Sequence, residues 1–346
     1  MKGNVAQALS AAVRDECLSI EVTTHCDGDC LHCFAQTGVL KRSSLSVDVV
    51  KEVIWEGYNT AYRQLHITGG EPLLWEGLFG ALDYAFGIGY QKITLNTNGR
   101  FLTKDVAKRL AAYQDLSISV SLEGPEALHD RIRGENSYKR TVLGIEKALE
   151  AGVDLAIFTV AGKSLLSILP HFVDEIYQRF PAIKYLTLIQ LIAVTDNGFA
   201  LTEELLGPED FLQLVQTASL LNLWGLRTNV KNSPLTRVAS KLMDMPWVPP
   251  TYPLYREGSI IVMANGNISL AHSNRDSLGK YAPGMIQKVL SSDEYRRAVA
   301  PDLSICPSCK YTDRCRENGM LRPAARHMDL QPDVPYCKRV LDRITG

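Results

Sequence analysis

The sequence predicts an α/β fold built on parallel strands, and three observations point to it. Short, β-branched apolar runs alternate with longer segments of helical periodicity. Each run is short enough for a buried strand and is bounded by turn residues. The unusual residues fall just after the runs, where parallel βα architectures collect functional loops. The strand candidates are "LSIEVT" (18–23), "LHIT" (65–68), "ITLN" (93–96), "LSISVSL" (116–122), "DLAIFTV" (154–160) and "YLTLIQLIA" (185–193). Six βα units imply right-handed crossovers. An open, TIM-like partial (β/α)6 barrel fits them best, with an ordinary doubly wound sheet as the alternative. A closed eightfold barrel would need two more units.

The helices carry their own start signals. Ser46 is placed to cap a helix whose apolar positions Val49, Val50, Val53, Ile54 and Tyr58 recur at three- and four-residue steps. Thr103 precedes "KDVAKRLAAY", and Ser137 precedes "YKRTVLGIEKALEAG", which stops at a glycine. The barrel is expected to occupy residues 1–200. Residues 201–255 read as a helical connector, with Pro208 after Gly207 at a helix start. It ends in the proline-rich "MPWVPPTYPLY", a rigid linker. Residues 256–346 begin with a hairpin about Asn265-Gly266 and continue into a small cysteine-rich domain.

Bulk properties narrow the function classes. The 346 residues are 46% hydrophobic and can supply a sizeable core. A net charge of -1 without a basic run argues against phosphate-driven nucleic-acid binding and against attachment to anionic membranes. No apolar stretch reaches the ~18 residues of a membrane span, and the N-terminus lacks the apolar core of a signal peptide. A cytoplasmic chain is therefore expected, with reduced thiols, so that clustered cysteines suggest metal before disulfide. The eight cysteines lie at positions 17–33 and 306–337, with none between.

The stretch "THCDGDCLHCF" holds Cys26, Cys30 and Cys33 after the first strand. Zinc and iron–sulfur clusters both accept thiolate. Zinc prefers a closed set of four, which His25 or His32 could complete. Three thiolates on a four-iron cluster would leave one iron open to a small molecule. "GGEP" (Gly69, Gly70, Glu71, Pro72) follows the second strand, "NTNG" (96–99) the third and "SLEGP" (121–125) the fourth. In a barrel these loops would share one rim.

The C-x3-C-x2-C spacing after a first strand, with GGEP after the second, resembles the radical S-adenosylmethionine (SAM) superfamily over roughly residues 18–193. The resemblance implies a [4Fe–4S] cluster on Cys26, Cys30 and Cys33, with SAM chelating the free iron. Reductive cleavage of SAM would yield a 5'-deoxyadenosyl radical that abstracts a substrate hydrogen. It also implies an electron donor such as flavodoxin or ferredoxin. Gly69 and Gly70 would let backbone groups approach the SAM amino group, with Glu71 and Pro72 in the same loop. Phe34 corresponds to an aromatic whose backbone contacts adenine. Asn98, Ser121 and Glu123 would contact the ribose or methionyl part. Arg133 would pair with the SAM carboxylate.

Cys306, Cys309, Cys315 and Cys337 are spaced C-x2-C-x5-C-x21-C. Following the hairpin, they resemble the SPASM or shorter twitch extension of the same superfamily, which carries auxiliary [4Fe–4S] clusters; zinc is the alternative. Ala271 and His272 stand where a cysteine is often found, and Asn318 near another such position. One auxiliary cluster is therefore expected. It would accept an electron from a substrate radical or staple a small domain. His272, Gln190 and Cys17 are the candidates for a catalytic role. The blander reading of Cys17 is a small buried residue, and Gln190 is expected to point inward. His66 is expected to face the barrel interior, and His129 and His171 to be surface or packing residues.

The expected substrate is a small metabolite such as a sugar, nucleoside or tetrapyrrole. Only seventeen residues precede the first predicted strand, too few for the leader-binding domain of peptide-modifying relatives. A ribosomal-peptide maturase is the alternative. From another class, a zinc-stabilised binding module without catalysis is the rival. A simple electron carrier would not need the GGEP loop.

Overall fold

A computed structural model describes residues 13–35, 42–192, 201–231, 235–245, 247–249, 257–272, 276–299, 309–311 and 334–346. Six βα repeats open the chain. Strand β1 (Arg14–Glu21) leads through the cysteine loop to α1 (Val47–Asn59) and β2 (Tyr62–Thr68). There follow α2 (Leu78–Ile88), β3 (Lys92–Thr97), α3 (Lys104–Ala111), β4 (Leu116–Ser121), α4 (Glu126–Arg133), α5 (Ser137–Glu150) and β5 (Asp154–Ala161). Short α6 (Lys163–Leu166) and α7 (Leu169–Arg179) precede β6 (Leu186–Gln190). Ser46 and Thr103 cap α1 and α3, accepting from the amides of Val49 and Val106. Ser137 is instead the first residue of α5, and Asn136 caps it at a φ of 60°.

Two more parallel strands extend this core. Within the expected connector, α8 (Pro208–Leu223) is followed by β7 (Thr228–Lys231), which pairs in parallel with β6, and then by α9 (Leu235–Leu242). The four-residue "TNVK" has no apolar run, so nothing local marks it as a strand. The hairpin about Asn265-Gly266 is β8 (Ile260–Val262) with β9 (Asn267–Ser269), and β8 lies parallel against β1. β10 (Gly279–Lys280) extends the hairpin, α10 (Met285–Leu290) and α11 (Asp293–Val299) follow, and α12 (Val334–Thr345) closes the chain. The sheet runs β10-β9-β8-β1-β2-β3-β4-β5-β6-β7. Eight neighbouring strands are thus parallel, but among the described residues β7 and β8 do not pair, and the barrel stays open.

Alternation along the strands divides the sheet into two faces. Leu18, Ile20, Leu65, Ile67, Ile93, Leu95, Ile118 and Val120 join the main core beneath the helices. Each such burial contributes about 1.5–3 kcal/mol. The opposite face is polar: Ser19, His66, Thr94 and Ser117 stand side by side in register, and Asn96 pairs with Ser119 on the next pleat. A parallel sheet covered on both faces by helices would read as continuous apolar runs. Here the polar face is the barrel interior. A second core joins Phe211, Val215, Leu235, Val238, Ala239, Val248, Tyr311, Tyr336 and Val340 from α8, α9, α12 and the segments between.

Candidate functional site

The loop after β1 is held in place from both sides. The returning chain before α1 pairs with it: Leu45 N donates to the Val22 carbonyl at 3.0 Å and Thr24 N to that of Ser43 at 2.8 Å. On the other side, Gly70 N donates to the Thr23 carbonyl at 2.6 Å and Glu71 N to that of His25 at 2.8 Å. The glycines serve this contact. A Cβ on Gly70 would stand 2.4 Å from the His25 oxygen, and one on Gly69 2.6 Å from the Thr23 oxygen. The missing side chains admit the cysteine loop's own backbone, a partner the sequence does not reveal.

Glu71 is fully buried and both its carboxylate oxygens are engaged. One accepts from the Thr97 hydroxyl at 2.7 Å and the Leu73 amide at 3.1 Å; the other accepts from the Asn98 amide at 2.8 Å. Burial raises its pKa, against the pull of these donors. Glu71 therefore ties the second loop to the third and caps the short 3-10 turn begun by Pro72. Asn98 extends the chain of contacts. Its Nδ2 donates to Asp27 at 2.9 Å and stands 4.0 Å from Cys26 Sγ. Asp27 also meets Arg100 at 3.1 Å and Arg140 at 3.2 Å.

The fourth loop adds a buried charge network. Glu123, fully buried, accepts from Arg133 Nε at 2.6 Å and Nη2 at 2.5 Å, meets His32 Nε2 at 3.1 Å, and accepts from the Val160 amide at 2.7 Å. Burial alone would raise the Glu123 pKa; Arg133 and His32 outweigh it and hold the carboxyl well below the usual range. Arg133 Nη1 reaches Cys30 Sγ at 3.8 Å. Leu31 N donates to the Ile132 carbonyl at 3.1 Å, seating the cysteine loop on the end of α4. Glu123 is thus committed within the protein, with His32 Nε2 against it. His129 is a packing residue, fully buried, with Nδ1 accepting from the Glu123 amide at 3.1 Å.

Donors are thus aimed at two of the three sulfurs of this loop, although among the described residues no three His, Cys, Asp or Glu side chains are grouped to hold a single metal ion. Cys30 is buried while Cys26 and Cys33 are half-buried. Burial pushes the Cys26 thiol up to about 11, and raises that of Cys30 against the lowering effect of Arg133. Such thiols need a metal to ionise, and hydrogen-bond donors then stabilise the thiolates. The donor set fits an iron–sulfur cluster whose thiolates bind separate irons. Phe34 follows Cys33 in a half-buried turn, and Ser121 ends β4, half-buried, in register with Phe158.

Other predicted residues fall elsewhere. Gln190 does not face the interior. It is fully buried on the outer side of β6, where its Nε2 donates to the Tyr336 hydroxyl of α12 at 3.4 Å. The alternation from Ile189 puts it there. His272 pairs with Glu21 at 2.5 Å, and Glu21 also accepts from the Ala264 amide at 3.2 Å, so the hairpin is pinned to the end of β1. Cys17 Sγ lies 3.7 Å from Gln64 Oε1. Cys309 and Cys337 pack against the second core. Cys306, Cys315 and Asn318 lie outside the described residues. Sequence reasoning missed Glu21, Asp27 and Arg100. Asp27 lies between the first two cysteines, but its partners come from 71 and 113 residues away in the chain.

A parallel partial barrel with three cysteines after its first strand defines a class, and comparison with known proteins agrees. Residues 20–165 match the family model described as "Radical SAM superfamily". It is 30% identical over 158 residues to the mycofactocin maturase MftC of Mycolicibacterium smegmatis, covering 45% of this chain and 40% of that one. It is 32% identical over 169 residues to an AdoMet-dependent heme synthase of Methanosarcina barkeri, covering 48% and 46%. The chain thus spans less than half the length of these curated relatives. In fold it is similar to anSMEcpe with bound AdoMet, at a TM-score of 0.72 and 16% identity over 94% of this chain and 95% of that one. It is also similar to Streptococcus suis SuiB bound to precursor peptide SuiA, at a TM-score of 0.67 and 17% identity over 88% and 72%. Proteins of this family use a [4Fe–4S] cluster and SAM. No helix among the described residues is long and apolar enough to cross a membrane.

Proposed function

We propose that the chain is a radical SAM enzyme that cleaves SAM reductively and oxidises a C–H site of an organic substrate. The observation that carries this reading is the convergence of the loops after β2, β3 and β4 on the cysteine loop, with Arg133 and Asn98 directed at cysteine sulfurs. Cys26, Cys30 and Cys33 would hold the cluster. Bound there, the cluster with SAM supplies a 5'-deoxyadenosyl radical. The protein's own part is positional. Gly69–Glu71 present backbone groups beside the cysteine loop, and Glu71 holds the second and third loops together. The Glu123–Arg133 pair fixes α4 against Cys30. Asn98, Ser121 and Phe34 line the same rim and are the candidates for contact with SAM.

Cys309 and Cys337, packed on one core, support an auxiliary site completed by Cys306 and Cys315. Residues 1–200 would then be the catalytic barrel and 256–346 the auxiliary domain, with β7 and α9 making 201–255 part of the fold. A flavodoxin or ferredoxin would supply the electron.

For the substrate, a peptide stands beside the small metabolite expected from sequence, which the heme synthase and a GTP 3',8-cyclase 30% identical over 142 residues favour equally. MftC is a maturase, and the fold likeness to SuiB bound to a precursor peptide covers most of this chain. The test is anaerobic: reconstitute with iron and sulfide, add SAM and dithionite, and measure 5'-deoxyadenosine. We expect a brown protein that forms it, and Cys26→Ala to abolish formation. A reconstituted protein that binds no cluster, or leaves SAM intact, overturns the reading.

A further inference from the structure

Lys231 closes β7, the strand that sequence reading passed over. Its neighbour in register is Ile189, and Asn229 two residues earlier pairs with Thr187, which pairs with Phe158. These residues belong to the polar inner face, opposite the core residues Leu186, Leu188 and Val230. Lys231 Nζ stands 4.9 Å from the centre of the Phe158 ring. Although β7 and β1 lie six places apart in the sheet, Lys231 comes within electrostatic reach of Cys17 on β1 and His66 on β2. The sheet curls so that its far strand faces its first.

No described carboxylate answers this ammonium. Of the acidic groups on the inner face, Glu21 is taken by His272 at 2.5 Å, and Asp154 by Lys184 at 2.6 Å and the Ser117 hydroxyl at 2.9 Å. The ring face offsets part of the desolvation of the cation, but a cation–π contact is weaker than an ion pair. Burial, with Lys92 as a further cation, lowers the Lys231 pKa against the effect of Cys17. Lys231 thus lies on the inner face with a ring and no carboxylate against it among the described residues, and an entering anion would supply the missing partner. His66 lies on the same inner face, its Nδ1 3.2 Å from the Ser19 hydroxyl.

We propose that Lys231, on the inner face of β7 against Phe158, forms an anion-binding subsite inside the barrel, and that the substrate carries a carboxylate or phosphate group received there. The proposal rests on the radical SAM reading for calling the ligand a substrate. The subsite itself depends only on the geometry of β7.

The test uses the full-length reconstituted protein with two probes, succinate and inorganic phosphate, each against chloride at equal ionic strength. Thermal denaturation is followed with increasing probe. We expect one probe to raise the midpoint saturably, and which one does so distinguishes carboxylate from phosphate. Lys231→Met should weaken that response about tenfold or more, while Lys231→Arg should keep most of it. A second measurement needs no variant: the effective anion should slow reductive methylation of Lys231 relative to exposed Lys104, mapped by mass spectrometry. The proposal is overturned if neither probe exceeds chloride, if Lys231→Met responds like the wild type, or if methylation of Lys231 is unaffected. Formation of 5'-deoxyadenosine by the wild type tests the enzymatic reading separately, so either idea can fail alone.

Discussion

A methyl group on Gly70 would collide with the backbone of the loop that carries the cysteines, not with a mobile side chain that can step aside. Gly70→Ala must therefore push the GGEP loop off its seat. We expect iron content to stay near wild type while 5'-deoxyadenosine formation falls on the order of a hundredfold, as for ångström-scale misplacement of a reacting group. Unchanged turnover would show that the two loops need not touch. Titration gives a second prediction at this scale. Burial, with nearby cations, pushes His66 and His129 down to about 4, below the ordinary 6.5. The unfolded chain binds these protons below pH 6.5, whereas the folded chain resists them until about pH 4. Stability is therefore lost as pH falls through that window. The depressed carboxyl of Glu123 acts in the same direction at lower pH, contributing stability above its unfolded value and losing it on further acidification. Urea midpoints measured from pH 7.5 to pH 4.5 should decline steadily; a flat profile would contradict the burial of both histidines.

At the scale of elements, the helix starts were the most legible feature. Ser46 and Thr103 bond the amides three residues on, because a short polar side chain in extended backbone can reach a free N–H. Thr103→Ala should cost about 1 kcal/mol, read as a lowered urea midpoint with unchanged slope. The strands were legible where β-branched runs are long and illegible where pairing replaces propensity. β7 and β8 are three or four residues each and owe their place to β6 and β1. Within the site, the cysteines and glycines could be read from spacing. The Glu71, Asp27 and Glu123 networks could not, since each joins loops that meet only in the folded barrel. Gln190 was misread because its strand ends at the position where alternation decides which side it faces.

For the molecule as a whole, the later segments are integral to the barrel. The hairpin covers the edge of β1, Tyr62 donates to the Gly258 carbonyl at 2.5 Å, and Gly258 N donates to the Tyr295 hydroxyl at 2.7 Å. α12 packs on the same second core as Cys309. If that core carries an auxiliary cluster, Cys337→Ala should reduce iron from about eight per chain to about four. It should spare SAM cleavage more than product formation; equal loss of both would mark the auxiliary site as structural support.

By itself the sequence determined the six βα repeats, the cysteine loop, the caps Ser46 and Thr103 and the hairpin turn, because each depends on residues within a few positions of one another. Tertiary structure alone decided which groups are committed and which remain available. It locked Glu71 and Glu123 inside the protein, turned Gln190 outward and brought Lys231 opposite Cys17. The reason is that burial and charge pairing are properties of the folded sheet, which joins residues far apart in the chain.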